Sequence, residues 1–329
     1  MYLREYIKEN GTLTEYPIFD GKESVLLELP VTDLFLAQYV QNKFNAIDIV
    51  IKYMAIENYY GQNDYGFDLY KKMQLKRVNE DWSERYIKLI KSYEYNKNVK
   101  SNIELDLNYS IHDGAHRMAL SLYHIKENIL SEVFNIERTR REYGINWFKE
   151  NNFNNFQLQL IDDKLNELFF KCRKEYYCIL WTPARRYFKN IRDCIKRNEE
   201  GIKITEEFPM KFNKEELKDF IYSIYETDDI RKEKLDLKYG HIMKSLEIDN
   251  YYQSFYTIYV LKIKINNPDF RLKPLTGLPQ SKTTMRLKKA IRDEFQQKIT
   301  AYYYDIIMHM TDNQIQNDAV EKLIKKSIS

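Results

Sequence analysis

The sequence predicts an α/β fold, with α+β character in places, arranged as two domains. Three observations support this prediction. The chain has 329 residues, which is about twice the length typical of one domain. Hydrophobic residues make up 43% of it and aromatic residues 15%, enough to fill two cores. Segments with strand periodicity also alternate with segments of helical periodicity, a pattern typical of α/β domains.

The first hundred residues contain three predicted elements and a turn. Residues 24–31 form a short apolar run and predict a strand. Apolar residues recur at helical spacing over 34–59 and again over 81–95, where Asp81 is the predicted N-cap. The Asn-Asp-Tyr-Gly sequence at 63–66 predicts a turn between these helices.

The segment 103–126 changes its periodicity in the middle. Apolar and polar residues alternate from Ile103 to His112, which predicts a half-buried strand. In an alternative interpretation, residues 106–108 form the turn of a short hairpin. After Gly114 the apolar residues recur at helical spacing, as in Met118 and Leu122. The segment therefore predicts a strand, a tight Asp-Gly turn and the start of a helix within a dozen residues.

We place the boundary between the two domains at residue 160, so that the domains comprise residues 1–160 and 161–329. In the second domain we predict strands at 176–181, 201–205, 254–265 and 302–310. Helices are predicted at 184–196, from Asn213 to 225, and at 281–300. The first four residues of the middle helix, Asn213 to Glu216, resemble a capping box.

Composition limits the classes of partner and compartment. The net charge of +3 is close to balance, so no general electrostatic field favours nucleic acid or an anionic membrane. Three cysteines without zinc-type spacing indicate reduced thiols. No apolar run approaches the roughly 18 residues needed to span a bilayer, and the N-terminal residues lack the apolar core of a signal peptide. We therefore expect a cytoplasmic protein with no membrane partner.

The junction at residues 112–117 has the residue types of a phosphate site. A helix N-terminus attracts anions through its unpaired N–H groups, and Gly114 leaves room for a phosphate to approach the backbone. Asp113 can cap the helix, hold a cation or accept a proton. His116 and Arg117 lie in the first turn, where positive charge suits phosphate oxygens and not the helix dipole. The alternative is an Asp-capped helix with two solvated side chains.

These residues also carry a resemblance to a known family. Asp113, Gly114, Ala115, His116 and Arg117, after an alternating strand, resemble the Asp-Gly-x-His-Arg box of the ParB/sulfiredoxin-like superfamily. The run from Ser24 to Leu34 resembles the entering strand of that fold. The resemblance covers the N-terminal half of the chain. The box contains no cysteine, so the repair chemistry of sulfiredoxin is not implied.

The resemblance implies a nucleotide-binding domain of that fold, followed by a second α/β domain of unknown family. It places the box against the phosphates of ATP or ADP, with Asp113, His116 and Arg117 as catalytic residues and His112, Gly114 and Ala115 as nucleotide contacts. Asp113 is also the expected ligand of Mg²⁺. The free serine kinase branch uses a separate carboxylate as base, for which Glu28 and Asp33 are the nearby candidates.

The expected function is therefore a kinase that transfers a phosphoryl group to a small hydroxylated metabolite, such as a sugar, a polyol or a hydroxy-amino acid. Phosphoryl transfer depends mainly on positioning and charge neutralisation. Two alternatives stay open, namely a nucleotide-gated DNA-binding or nuclease module of ParB type and a non-catalytic nucleotide sensor. The near-neutral charge disfavours the DNA-binding module.

Further candidate contacts for the acceptor or its phosphate lie in the second domain. A basic helical face includes Arg286 and Lys289, and Arg292 follows on the same helix. His309 and Asp312 lie at the end of a predicted strand, where ligands of α/β sheets collect. The alternative is a solvated basic face and an ordinary strand end.

Overall fold

A computed structural model describes residues 3–40, 43–96, 101–138, 143–172, 175–198, 201–228, 230–303 and 305–328. The chain divides into two compact units. The first unit contains Met1–Cys172 and the distant segment Asp269–Gln280, and the second contains Arg173–Pro268 and Ser281–Ser329. The division after Cys172 lies twelve residues beyond the boundary expected at 160.

Both units combine helices with sheets, which confirms the α/β class. None of the helices in the described ranges has the length and apolar character required to cross a bilayer. The described helices are α1 (Leu3–Asn10), α2 (Val31–Leu36), α3 (Ile47–Tyr59), α4 (Gly66–Val78), α5 (Ser83–Asn96), α6 (Ala115–Tyr123), α7 (Ile145–Glu150), α8 (Asn155–Cys172), α9 (Phe188–Asn198), α10 (Lys214–Ile224), α11 (Lys232–Ile248), α12 (Lys282–Phe295) and α13 (Gln314–Ile328).

The strands form two four-stranded sheets and two short two-stranded ribbons among the described residues. The strands are β1 (Ser24–Pro30), β2 (Tyr39–Val40), β3 (Lys43–Phe44), β4 (Ile103–Leu105), β5 (Ile111–Asp113), β6 (Asn128–Phe134), β7 (Glu175–Leu180), β8 (Ile202–Phe212), β9 (Tyr256–Ile265), β10 (Phe270–Leu272), β11 (Pro279–Ser281) and β12 (Met308–Met310).

The sheet of the first unit has the strand order β1-β6-β4-β5. Strand β6 pairs antiparallel with β1 and parallel with β4, and β4 pairs antiparallel with β5. The predicted strand at 24–31 is confirmed as β1. The helical periodicity over 34–59 is confirmed for α3, but the β2–β3 ribbon separates α3 from the short α2.

The alternating segment 103–112 is a hairpin and not one continuous strand. Asp106 makes the turn, because its Oδ1 accepts hydrogen bonds from the backbone N–H groups of Asn108 and Ser110, each at 2.9 Å. Tyr109 adopts a left-handed conformation with φ of 58°. An aspartate side chain that bonds the backbone two residues ahead is a strong turn former. The interpretation of residues 106–108 as a turn is therefore confirmed.

Helix α3 lies at the centre of the first unit and packs against α4, α6 and α8. Its residues from Ile47 to Glu57 are all buried. The reason is compositional, since apolar residues occur on every side of this helix. Three charged residues, Asp48, Lys52 and Glu57, are buried with them.

The second segment of the first unit joins the core through long-range contacts. The Leu272 N–H donates to the Leu107 carbonyl at 3.2 Å, and the Tyr109 hydroxyl donates to the Gly277 carbonyl at 2.7 Å. Phe270 and Leu272 are buried in the same core as β4 and α6. Residues 269–280 were expected in the second domain, and nothing local in their sequence indicates these partners.

The sheet of the second unit has the strand order β12-β7-β9-β8, with antiparallel pairing throughout. Strands β7 and β9 confirm the predictions at 176–181 and 254–265. Strand β8 runs well beyond the predicted 201–205. Of the strand predicted at 302–310, only β12 is observed among the described residues, and the positive φ of Asp305 interrupts extended backbone before it.

The helix predictions in the second unit are confirmed with two changes, at the start of the first helix and at the end of α12, which ends at Phe295 and not at 300. The Asn213 side chain accepts from the N–H groups of Glu215 and Glu216, and the Glu216 side chain accepts from the Asn213 N–H, which is a complete capping box. The helix predicted from 184 begins instead as a 3-10 segment, Thr182–Tyr187, and becomes α9 at Phe188. Ser281 caps α12 as predicted.

Candidate functional site

The turn between β5 and α6 depends on Gly114. This residue occupies the N-cap position of α6 with φ of 95°. A Cβ atom at this position would lie 2.5 Å from Ile103 Cγ2 and 3.1 Å from Arg117 Nε. Only glycine satisfies both the left-handed conformation and the close approach. Because Gly114 has no side chain, the first N–H groups of α6 receive no side-chain cap.

A cavity of about 370 Å³ lies beside this turn, entirely within the first unit. Its volume is within the range of small-molecule sites. The β5–α6 turn contributes to its lining, and so do residues of α3 and α4. The charged and imidazole side chains in the lining are those of Asp48, Lys52, Arg77, Glu104, His112, Asp113, His116 and Arg138.

Asp113 does not cap α6, in contrast to one expectation from the sequence. Its carboxylate is 60% exposed and accepts a hydrogen bond from Arg117 Nη2 at 2.6 Å. Arg117 also donates to the Ser101 hydroxyl through Nη1. Arg117 does not contribute to the cavity lining that Asp113 enters. It therefore acts on the cavity by orienting Asp113 and compensating its charge.

His116 is buried and does not provide the positive charge expected at the start of α6. Its ring lies against Tyr70 and Tyr86, and Nε2 is 2.7 Å from the Tyr70 hydroxyl. Burial, together with the cations Lys52 and Arg77, holds the pKa of His116 well below its usual range. The imidazole is neutral at physiological pH, so it offers a hydrogen bond and not a charge.

His112 lies on β5 and also lines the cavity. Its Nε2 is 3.2 Å from Oδ2 of the buried Asp106, whose other oxygen holds the hairpin turn. The carboxylate therefore fixes the orientation of this ring. Gly114, Ala115 and His116 are in the same lining, so the structure brings the expected nucleotide contacts to one cavity.

Glu104 is a site residue that the sequence interpretation did not select. It is the cross-strand partner of Asp113 in the β4–β5 hairpin and lines the same cavity. Burial raises the pKa of Glu104, and the neighbouring charges of Asp113 and Glu132 add to this effect. The sequence signal was the alternative turn at 106–108, because a hairpin that turns there pairs Glu104 with the end of β5.

Neither of the two carboxylates nominated as a base lies in the cavity lining. Glu28 is exposed on β1, and Asp33 is buried in α2. The structure thus offers Glu104, and not Glu28 or Asp33, as the second carboxylate beside Asp113.

The buried ion cluster of Asp48, Lys52 and Arg77 was also missed. Lys52 Nζ lies 2.6 Å and Arg77 Nη1 lies 3.1 Å from Asp48 Oδ2. Burial lowers the pKa of Lys52 to about 8, although Asp48 opposes the shift. The sequence signal would have been an acid and a base four residues apart in an otherwise apolar helix.

The donor set of the cavity suits Mg²⁺ that arrives with a phosphate ligand. Among the described residues, no group of three or more His, Cys, Asp or Glu side chains is placed to hold a metal ion. Glu104 and Asp113 provide two carboxylates. Mg²⁺ is commonly bound by one or two carboxylates together with substrate phosphates and water.

The five positions predicted in the second unit have different surroundings. Arg286 and Lys289 are exposed on α12. Arg292 Nη2 forms an ion pair with Asp305 at 2.8 Å. His309 is buried with its ring against Tyr225, and Asp312 is buried with partners of its own.

Asp312 has the contacts of a structural residue. Its Oδ1 accepts from the Thr284 hydroxyl at 2.5 Å and from Lys288 Nζ at 2.6 Å. We expect Asp312→Asn to lower the free energy of unfolding by about 2 kcal/mol, because the substitution removes a buried charged acceptor. Urea denaturation measures this change, with Asp293→Asn on the exposed face of α12 as the control. Unchanged stability in Asp312→Asn would contradict the structural role.

No family model matches this chain, and no curated protein and no solved structure matches it significantly. The resemblance to the ParB/sulfiredoxin-like superfamily therefore depends on residues 113–117, the alternating residues before them and the run from Ser24 to Leu34.

Proposed function

We propose that this chain is a nucleotide-dependent phosphotransferase of the ParB/sulfiredoxin-like type that acts on a small hydroxylated metabolite. The observation that carries the proposal is the cavity at the β5–α6 turn. There, uncapped backbone N–H groups, three cationic side chains and two neighbouring carboxylates converge. Phosphoryl transfer requires this combination, since phosphates need donors and cations while the acceptor hydroxyl needs a proton acceptor.

The β5–α6 turn is the proposed binding place of the nucleotide phosphates. Backbone N–H groups at a helix N-terminus bind phosphate oxygens, and Gly114 provides the left-handed backbone with which α6 begins at this turn. His112 and His116 supply further hydrogen-bonding groups in the same lining. ATP and ADP are the proposed nucleotides.

The charges of the lining explain why Mg²⁺ is part of the proposal. Lys52, Arg77 and Arg138 contribute three positive charges, and Asp48, Glu104 and Asp113 contribute three negative charges. A nucleoside triphosphate would therefore enter a cavity with no net positive charge. Bound Mg²⁺ would supply positive charge to the phosphates, and one of the two carboxylates Asp113 and Glu104 would hold it.

Asp113 and Glu104 have different roles in the proposed transfer. One carboxylate holds the cation, and the other accepts the proton of the attacking hydroxyl. As cross-strand partners, the two residues are neighbours in the cavity lining. Arg117 keeps the Asp113 carboxylate in place through the hydrogen bond at 2.6 Å.

Nucleotide consumption tests this proposal directly. Wild-type protein is incubated with ATP and Mg²⁺ across a panel of sugars, polyols and hydroxy-amino acids, and ADP formation is followed. We expect consumption that depends on one class of acceptor. A protein that binds ATP yet consumes none with any acceptor would overturn the proposal in favour of a sensor or a nucleotide-gated DNA-binding module.

Arg117→Ala is expected to weaken ATP binding about tenfold with little loss of stability. The variant leaves the charge of Asp113 uncompensated beside the proposed phosphate position. Isothermal titration calorimetry measures the affinity, and Arg197→Ala serves as the control because Arg197 forms an exposed pair with Glu294 in the second unit. Equal affinities for wild type and Arg117→Ala would remove Arg117 from the proposed site.

A further inference from the structure

The buried cluster of Asp48, Lys52 and Arg77 carries one positive charge in excess. One carboxylate accepts hydrogen bonds from both cations. The side chains are 7%, 2% and 19% exposed, respectively. Neither cation has a second carboxylate partner in the described part of the chain.

An unbalanced charge among buried groups is unfavourable unless a partner or solvent compensates it. The surroundings of this cluster compensate the charge only in part, since Asp113 attracts Lys52 from β5 and the guanidinium of Arg77 lies 4.0 Å from the centroid of the Tyr143 ring. Helix α3 is apolar on its other sides, and the neighbouring His116 is neutral. The Nε atom of Arg77 is also buried and has no hydrogen-bond partner among the described residues.

The cluster borders the cavity, so the compensating group can come from a ligand. Asp48, Lys52 and Arg77 are among the residues that α3 and α4 contribute to its lining. The proposed nucleotide position is at the β5–α6 turn, which is a different element of the same cavity lining. The planar guanidinium of Arg77 presents several donors, a geometry suited to carboxylate and phosphate oxygens.

We propose that Lys52 and Arg77 form a second anion subsite in this cavity, and that the phosphoryl acceptor carries its own carboxylate or phosphate group to fill it. The identification of the ligand as the acceptor rests on the proposed phosphotransferase function. Binding of an anion at Lys52 and Arg77 does not depend on that function. The substrate class becomes a hydroxylated metabolite with an anionic group, and uncharged sugars and polyols are excluded from it.

Three probes with one carbon skeleton separate the possible anions. Glycerol, glycerate and glycerol 3-phosphate differ in having no charged group, a carboxylate or a phosphate. Inorganic phosphate tests the anion alone. We expect calorimetry without nucleotide to detect inorganic phosphate and at least one of the two glycerol-derived anions, with glycerol showing no binding.

Lys52→Met is the variant that tests the assignment. It leaves Asp48 and Arg77 as a balanced pair, so thermal stability without ligand is expected to be equal to or higher than that of wild type. Phosphate affinity is expected to fall about tenfold or more, since a charge-assisted contact is lost. Lys76→Met, on the exposed face of α4 beside Arg77, is the matched control.

Proton uptake on anion binding distinguishes a binding role of Lys52 from a purely structural one. The pKa of Lys52 is lowered to about 8, so part of the amine is neutral at about pH 8.5. The charges that influence it come from Asp48 on its own helix, Arg77 on α4 and Asp113 on β5. A bound anion raises this pKa, and the wild type should take up protons on binding, as measured by calorimetry in buffers of different ionisation enthalpy.

Two results would overturn the proposed subsite. The first is that the wild-type protein binds none of the anions. The second is that Lys52→Met binds phosphate as tightly as wild type, a result that would assign the anion to the β5–α6 turn. A failure of the phosphotransferase proposal is distinguishable, because anion binding and proton uptake would persist without nucleotide consumption.

Discussion

Asp113→Asn is expected to lower nucleotide turnover by about 10² or more while leaving the melting temperature unchanged. The amide preserves the shape of the carboxylate and can still accept a hydrogen bond from Arg117, but it neither holds a cation with full charge nor accepts a proton. Stability should be retained because the side chain is 60% exposed and Gly114, not Asp113, occupies the N-cap position.

The measurement compares kcat for nucleotide consumption in wild type, Asp113→Asn and Asp68→Asn. Asp68 is exposed on α4 and provides an equivalent change of charge outside the cavity lining. A fully active Asp113→Asn variant would contradict the assignment and move the essential carboxylate to Glu104, which Glu104→Gln would then test.

Gly114→Ala is expected to lower the free energy of unfolding by about 3 kcal/mol and to abolish nucleotide binding. A left-handed backbone costs a non-glycine residue roughly 1–2 kcal/mol. The added Cβ would lie 2.5 Å from Ile103 Cγ2, so the buried β4 strand or the turn must also shift, at a further cost of about 1–3 kcal/mol. Either shift moves the N–H groups proposed to bind phosphate.

Urea denaturation checks the stability and calorimetry checks the binding. Gly240→Ala is the matched control, because Gly240 lies within α11 and an added Cβ would meet nothing within 4 Å. The control should gain roughly 0.5–1 kcal/mol from the helix propensity of alanine. If both variants changed stability in the same direction, the proposed strain at Gly114 would be wrong.

Local interactions explain which elements could be predicted. The capping box at Asn213, the Ser281 cap and the alternating strands β7 and β9 depend on residues close together in sequence, so periodicity and turn chemistry indicated them. The hairpin at 103–113 was harder to identify, because alternation is equally compatible with one long strand. The hydrogen bonds of Asp106 decide that choice, and they were visible in the sequence only as the alternative turn at 106–108.

The sequence by itself determined the α/β class, most of the regular elements and the glycine turn at 114 with His112, Asp113 and His116 around it. Tertiary structure decided which distant residues join them. Glu104 reaches Asp113 through strand pairing, Arg77 reaches Asp48 from another helix, and residues 269–280 return to the first unit. Burial also decided the charge state, since it makes His116 neutral and weakens the basicity of Lys52. Such effects depend on residues far apart in the chain and on the exclusion of water, which no local pattern records.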